Sequence, residues 1–236
     1  MTAAAATQAY SQRLQTPIEL FVCPTRRALS IWNIADSFAY VRTPKPYGDV
    51  AMVARADYAI NGGSSHVFSS IGPIDFAQGD DPKYWKTGTS TVNFSGISHM
   101  RTAVAARRIS DGLSSTYLVG EKSVETDQYA TGQSIGDNES MYAGYCTDLH
   151  RFAGAVERIA MPVPLPPFVQ PLNDNETATP AINAAIGFGS AHATGFHMAY
   201  CDGATHFIGY DIDPEVHFRA GHRSDGGAPL NSLYKN

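Results

Sequence analysis

The sequence predicts an α+β fold that is dominated by a mainly antiparallel β-sheet with long loops. Three observations lead to this prediction: Asp-Gly pairs stand between apolar runs, glycine and proline are frequent, and a capped helix follows the last strands. The 236 residues include 21 glycines and 14 prolines, and 17% are charged, against roughly 25% in an average globular chain. A loop-rich β protein explains this composition better than a helical protein does.

The best-defined element is a hairpin centred on Asp202-Gly203. Asp-Gly between two apolar-rich runs favours a two-residue type I′ turn, because both central residues of that turn need positive φ. Such a turn pairs Met198 with Phe207. Side chains alternate across a strand, so one face collects the best candidates for the core. These candidates are Phe196, Met198, Tyr200 and Phe207. The opposite face carries His197 and His206, among others.

Local signals place further elements along the chain. Residues 3–14 predict a short helix that stops before Pro17, because the residue before proline avoids helical backbone angles. Runs typical of strands lie at 18–24, 54–63 and 115–122. We therefore assign residues 1–15 to a helix and linker, and residues 16–236 to a single globular domain.

An acidic stretch after the hairpin has two interpretations. Asp213 followed by Pro214 predicts a helix N-cap, and Gly221 predicts the end of that helix. The same stretch offers carboxylates at alternate positions, Asp211, Asp213 and Glu215, which are the oxygen ligands that calcium prefers. The glycine and the terminal glutamate of an EF-hand loop are missing. Calcium at these three residues is kept as an alternative to the cap, and no other cofactor is predicted.

Two charged positions flank predicted strands. Arg26 and Arg27 are adjacent, and we expect a solvent-exposed pair because arginine is rarely buried. Glu121 ends the predicted strand at 115–122 and is either a buried, paired carboxylate or an ordinary strand-end charge.

Composition and missing motifs exclude several classes of protein. The net charge of −5 and the absence of a basic run argue against nucleic acid as a partner. No apolar run is long enough for a transmembrane helix, so this chain is not expected to insert into a membrane. The sequence contains no P-loop, GxGxxG, HExxH or GxSxG motif, and hence no motif support for the enzymes that use them.

Two further groups of residues are candidates for function. His192 and Asp202 could form a catalytic pair, but turn chemistry explains Asp202 and a hydrogen-bonding anchor explains His192 more simply. Exposed aromatic side chains could stack on a sugar or another solute. The aromatic candidates are Tyr84, Trp85, Tyr142 and Tyr145.

Several motifs in one order resemble a known family. They are FVCPTRR at 21–27, ADYAINGG at 56–63, ISDGLSSTYLVGEK at 109–122, DNESMYAGY at 137–145, HRF at 150–152, FGSAH at 188–192 and DPEVHFRAGHRSDG at 213–226. The chain resembles the prepilin-like family of planctomycetes and their relatives, of unknown function, whose members end in a His-x9-Asp-Gly processing-associated domain. His192, Asp202 and Gly203 match that signature. The resemblance covers nearly the whole chain from about residue 15.

The resemblance implies the globular head of a pseudopilin-like protein. Such a head is a non-enzymatic, extracytoplasmic structural or surface component of a type II secretion or type IV pilus-like system. The family's prepilin signal and long apolar helix, through which pseudopilin-like subunits assemble, are absent here, and we expect them to have been trimmed. The resemblance also suggests a Cys23–Cys201 disulfide, with Cys146 left free, which suits an exported protein.

Two other functions stay open at this point. The first is an extracellular glycan- or solute-binding module, with a polysaccharide as its partner and the four aromatic residues as stacking groups. The second is a metal-dependent hydrolase that uses the histidines near the C-terminus.

Overall fold

A five-stranded sheet lies at the centre of the computed structural model, which describes residues 2–34, 51–64, 76–83, 94–99, 102–154, 168–177 and 182–233. The strands within these ranges are β1 (Ile31–Asn33), β2 (Met52–Ala54), β3 (Tyr58–Gly63), β4 (Ser98–His99), β5 (Thr102–Ala103), β6 (Tyr117–Glu121), β7 (His150–Phe152), β8 (Leu172–Asn173), β9 (Gly189–Ser190), β10 (Gly195–Tyr200) and β11 (Thr205–Gly209). The α-helices are α1 (Ala3–Leu14), α2 (Phe76–Asp80), α3 (Ile182–Ile186), α4 (Pro214–Gly221) and α5 (Leu230–Leu233).

The central sheet has the strand order β11-β10-β6-β3-β7. Its pairs are antiparallel except for β3 with β7, which run parallel at one edge. Short two-stranded ladders join β1 to β2, β4 to β5 and β8 to β9. The predicted fold class, α+β with a mainly antiparallel sheet, is confirmed.

Both predicted helices form where their signals stand. Helix α1 begins at a Thr2 cap, whose Oγ1 accepts from the Ala5 amide, and ends at Leu14 ahead of Pro17. Asp213 caps α4: its Oδ1 accepts from the amides of Glu215 and Val216. The helix ends at Gly221. Local capping chemistry therefore determined both boundaries.

The predicted strand at 18–24 is wrong. Residues Glu19–Phe21 form a single 3-10 turn, closed by the Phe21 amide donating to the Ile18 carbonyl. The Leu20 side chain is 81% exposed, so apolar composition did not lead to burial here. The segment is held instead by Asp57, whose amide donates to the Phe21 carbonyl at 2.8 Å.

The hairpin forms, but its register differs by one residue from the predicted one. The loop contains three residues, 201–203, because the Tyr200 amide donates to the Ala204 carbonyl at 2.8 Å. Gly203 has a φ of 90°, which is typical of a type I turn closed by a glycine bulge. Positive φ is therefore needed at the glycine alone, and Asp-Gly satisfies this loop as well as the two-residue one.

The register shift changes which side chains of β11 reach the core. Phe196 pairs with Ile208 and His197 pairs with Phe207. Phe196 is fully buried, whereas Phe207 is 51% exposed, which corrects its predicted place in the core. A shift of one residue moves every side chain of a strand to the other face, so Ile208 takes the position predicted for Phe207. His197 and His206 consequently lie on opposite faces of the hairpin.

The main core lies between this hairpin, β6 and helix α4. Its buried side chains are Tyr117, Phe188, Phe196, Met198 and Ala220, with Tyr200, Ile208 and Tyr210 packed against them. His217 of α4 lies in the same layer, with Nδ1 3.1 Å from the Tyr117 hydroxyl. Burial lowers the pKa of His217 to about 3.

This buried histidine predicts a loss of stability in acid. The unfolded chain protonates His217 near pH 6.5, whereas the folded chain resists protonation, so the free energy of unfolding falls as the pH drops from about 6.5 towards 3. We expect the imidazole NMR signals of His217 to show no protonation step between pH 7 and 4 in the folded protein. The same signals in denaturing urea should titrate near 6.5. A folded-state step near 6.5 would contradict the burial.

Candidate functional site

Charged side chains from distant parts of the chain meet inside the protein, at the end of the sheet where β6 stops and β3 starts. Two of them flank strands of the central sheet: Asp57 stands before β3, and Lys122 follows β6, with the Lys122 amide donating to the Asp57 carbonyl at 3.1 Å. We call this group the buried charge cluster. Its members are Arg26, Arg27, Arg55, Asp57, Lys122, Asp137, Asp148, Arg151 and Asp174, all buried.

Asp137 is the central acceptor of the buried charge cluster. Its carboxylate lies 2.6 Å from Arg27 Nη1, 2.8 Å from Lys122 Nζ and 3.4 Å from Arg55 Nη1. Burial alone would raise the pKa of Asp137, but the charges of Lys122, Arg27 and Arg55 outweigh burial and hold that pKa well below its usual range. The carboxylate therefore stays ionised in an interior that would otherwise exclude it.

Arg26 joins the N-terminal part of the chain to two other segments. Its Nε lies 2.8 Å from Asp174 Oδ2, its Nη1 lies 3.3 Å from Asp57 Oδ1, and its Nη2 donates to the Lys122 carbonyl at 2.5 Å. Tyr129 also donates to Asp174 Oδ2, at 2.6 Å. The expectation of a solvent-exposed Arg26-Arg27 pair is thus wrong, because carboxylates remote in sequence compensate both guanidinium groups.

Backbone carbonyls complete the cluster. Lys122 Nζ donates to the carbonyls of Gly136 and Asp148, each at 3.0 Å. Arg151 Nη2 donates to the carbonyls of Gly136 at 2.9 Å and Ser123 at 3.1 Å. Burial lowers the pKa of Lys122, while Asp137 and Asp148 oppose the decrease. The loop at 134–148 is therefore folded around buried cations.

Glu121 lies next to this cluster and is 1% exposed. Of the two alternatives left by the sequence, it is therefore the buried, paired carboxylate and not an ordinary strand-end charge. Its Oε1 is 3.3 Å from His192 Nε2, and its Oε2 is 3.3 Å from His197 Nδ1. The same Oε2 accepts from the His197 amide at 2.7 Å. His192 thus contacts the strand-end carboxylate and anchors the approach to the hairpin.

A family model described as "Protein of unknown function (DUF1559)" matches residues 1–215. The chain belongs to this family. No curated protein and no solved structure matches it.

The motifs that carried the resemblance meet in this DUF1559 protein. Arg26 and Arg27 come from 21–27, Asp57 from 56–63 and Lys122 from 109–122. The other contributing residues are Asp137 and Arg151. No motif in the sequence indicated this cluster as a site. Its signal was the placement of charged residues directly beside apolar strands in a charge-poor chain.

Asp202 is at the opposite end of β10 from His192. The strand between them spans six residues, or roughly 20 Å. Asp202 Oδ1 accepts from the Ala204 amide at 2.9 Å, which is a turn contact. His192 and Asp202 are thus not brought together as a catalytic pair.

The structure corrects the suggested Cys23–Cys201 disulfide. All three cysteines are free thiols. Cys201 Sγ donates to the carbonyl of Tyr117, at the start of β6, whereas Cys23 lies beside Glu121, at the end of β6. Four residues of strand separate these points by about 13 Å. A disulfide needs Cα atoms within about 7 Å of each other.

The structure describes two of the four aromatic candidates for ligand stacking. Tyr84 and Trp85 lie outside the described residues. The Tyr142 hydroxyl donates to the Thr16 carbonyl at 2.7 Å, and the ring of Tyr145 lies 4.4 Å from that of His150 between centroids. Tyr142 and Tyr145 are half-buried and make contacts within the fold.

Two of the three calcium candidates already have partners. Asp213 caps α4, and Glu215 Oε1 lies 2.8 Å from Arg219 Nη2. In the described part of the chain, three groups of His, Cys, Asp and Glu side chains lie close enough to share an ion, and Asp211, Asp213 and Glu215 belong to none of them. Calcium binding there stays a prediction that has to compete with the helix cap.

Proposed function

We propose that this chain is a non-enzymatic, extracytoplasmic structural component, the globular head of a pseudopilin-like protein. The observation that carries the proposal is the inward direction of the charged motif residues. The side chains of Arg26, Asp57 and Asp137 are 0% exposed and that of Arg27 is 4% exposed. Charged groups that face one another in the interior hold segments together and are out of reach of a substrate.

The docking of helix α1 supports the pseudopilin-like part of the proposal. Leu14, in its last turn, is 5% exposed and packs with Val53, while Tyr10, Ile34 and Tyr142 cover the contact. The earlier turns of the helix are largely exposed. In the proposed assembly, neighbouring pseudopilin-like subunits of a type II secretion or type IV pilus-like system associate through the helix, and the sheet forms the outward head. Among the described residues, no helix combines the length and hydropathy needed to span a membrane.

Fractionation of the cells that make this protein tests the proposal. An antibody against the head should detect the protein in the cell-surface or periplasmic fraction, and in assemblies sheared from the cell, while a cytoplasmic marker is retained. A Leu14→Asp variant should detach α1 from Val53 and reduce recovery in the sheared fraction, whereas Gln8→Asp, on the exposed side of α1, should not. Recovery of the protein with the cytoplasmic marker would overturn the proposal.

A panel of soluble polysaccharides tests the glycan-binding alternative. The proposed structural role predicts that the melting temperature of the purified protein does not change with any member of the panel. A saturable rise would replace it with a binding module, because a ligand that binds only the folded state raises its stability.

A further inference from the structure

A second group of side chains lies around the carboxylate of Glu121. Cys23 Sγ, a Glu121 carboxylate oxygen and a ring nitrogen of His192 all lie within 4.8 Å of one another. We propose that these three residues form a binding site for a transition-metal ion of the Zn²⁺ type. The inference is independent of the proposed role as a structural head.

The ligand atoms match the chemistry of that ion. Thiolate sulfur, imidazole nitrogen and carboxylate oxygen are the three donors that Zn²⁺ uses in proteins, whereas calcium and magnesium take oxygen ligands. Zinc–ligand bonds of about 2.0–2.3 Å place neighbouring donors of a tetrahedral site roughly 3.3–3.8 Å apart. The 3.3 Å separation of His192 Nε2 from Glu121 Oε1 meets this requirement. A small closure around the ion brings the remaining donors into range.

Each ligand is held by its own backbone contacts. The Cys23 amide donates to Asp57 Oδ2 at 2.9 Å, and the Cys23 carbonyl accepts from the amide of Arg26 at 3.0 Å. Glu121 belongs to β6, and its Oε2 is fixed by the His197 amide. These contacts fix the positions from which thiolate and carboxylate approach the ion, as a preorganised site requires.

His192 is held from both sides. Its carbonyl accepts from Asn173 Nδ2 at 2.7 Å and from the Tyr210 hydroxyl at 2.8 Å. Its side chain is 29% exposed, while Cys23 and Glu121 are 2% and 1% exposed. An ion therefore enters from the histidine side and comes to rest against the buried thiol.

His197 borders the entrance. Its ring lies 5.3 Å from that of His192 between centroids, and its Nδ1 contacts the second oxygen of Glu121. In the proposed site it orients the carboxylate, and a fourth position on the ion is open to water. Binding releases the thiol proton to solvent, because the thiolate is the ligand.

Cobalt(II) spectroscopy on the full chain tests the site. The protein carries no polyhistidine tag, is reduced and is stripped with a chelator. We expect Co²⁺ to produce a thiolate-to-metal charge-transfer band that Zn²⁺ abolishes by competition. Cys23→Ser should remove the band, and His192→Gln should weaken Co²⁺ binding more than tenfold, since even the loss of an outer partner costs about 10–100-fold in affinity.

Substitutions of the same residue types in the hairpin serve as matched controls. Cys201→Ser and His206→Gln should leave the band and the affinity unchanged, because Cys201 lies near the start of β6 and His206 is exposed. The site is disproved if Co²⁺ gives no charge-transfer band with the parent, or if Cys23→Ser or His192→Gln binds as the parent does. If Cys23→Ser does not fold by circular dichroism, the parent spectrum and His192→Gln decide the question. Cell fractionation does not enter this readout, so either proposal can fail alone.

Discussion

Replacing Asp137 by asparagine is expected to lower the free energy of unfolding by about 3–5 kcal/mol, the typical cost of removing one partner from a buried ion pair. Asparagine keeps the shape of the side chain but removes the negative charge. Arg27, Lys122 and Arg55 then face one another in the interior with their shared acceptor neutralised. Arg27 keeps Asp57 at 2.5 Å as a second counter-charge, whereas Lys122 and Arg55 lose the carboxylate that they contact. Removing a counter-charge from buried cations is among the most destabilising changes that a single substitution can make.

Denaturation in urea, followed by circular dichroism, measures this loss. Asp127→Asn is the matched control, since Asp127 is exposed in the turn Thr126–Gln128 and its replacement should change stability by no more than about 0.5 kcal/mol. A loss below 1 kcal/mol for Asp137→Asn would mean that water or a rearranged cation relieves the charge, contrary to the observed burial.

The acid limb of the stability profile gives an independent readout. The folded state holds the pKa of Asp137 below its value in the unfolded chain, which is about 3.9. The contribution of Asp137 to the free energy of unfolding is therefore fully present above about pH 3.9 and is lost as the pH falls below about 3.9. Asp137→Asn should therefore flatten the fall in stability below about pH 4 relative to the parent.

Phe196→Ala is expected to cost about 3–5 kcal/mol of stability, and Phe207→Ala less than about 1 kcal/mol. Phe196 is fully buried between the rings of Phe188 and Tyr210, at centroid distances of 6.2 and 6.4 Å. Phe207 is 51% exposed, and its ring contacts that of His197. Phe196→Ala leaves a cavity in the core, whereas Phe207→Ala removes a ring that is already half exposed to solvent.

This pair of substitutions distinguishes the two hairpin registers. A two-residue turn places both phenylalanines on the core face, so the two losses would be similar. The three-residue loop predicts a large difference between them. Both variants remove the same atoms from neighbouring strands of one hairpin, which makes each the control of the other. Equal losses in urea denaturation would contradict the observed pairing of Phe196 with Ile208.

The fold was predictable wherever local chemistry decides structure. The cap at Asp213 and the proline after α1 determine helix ends by contacts within a few residues. The strand at β6 was visible from its apolar alternation. The register of the hairpin was not, because Asp-Gly is compatible with two loops of different length. The choice between them depends on the packing of Phe196 and Ile208 against the rest of the sheet.

The candidate site was predictable only in its parts. Glu121 and His192 were selected as unusual residues, but no pattern in the sequence indicated that they meet. The same is true of Arg27 and Asp137, which are 110 residues apart. Because arginine is rarely buried in proteins, a prediction from residue type alone places Arg27 in solvent. Only the assembled sheet brings the compensating carboxylate to it.

The span of the buried charge cluster has a consequence for biosynthesis. Arg26 and Asp174 are 148 residues apart, which a ribosome adding 5–20 residues per second covers in roughly 7–30 s. During that interval Arg26 lacks the counter-charge of Asp174. Burial of its guanidinium group is then costly, so the segment around Arg26 stays hydrated. About three quarters of the chain must emerge before this contact can close. Completion of the buried charge cluster is thereby coupled to translation of the later segments of the chain, and we expect a nascent fragment that stops before Asp174 to leave Arg26 in contact with water.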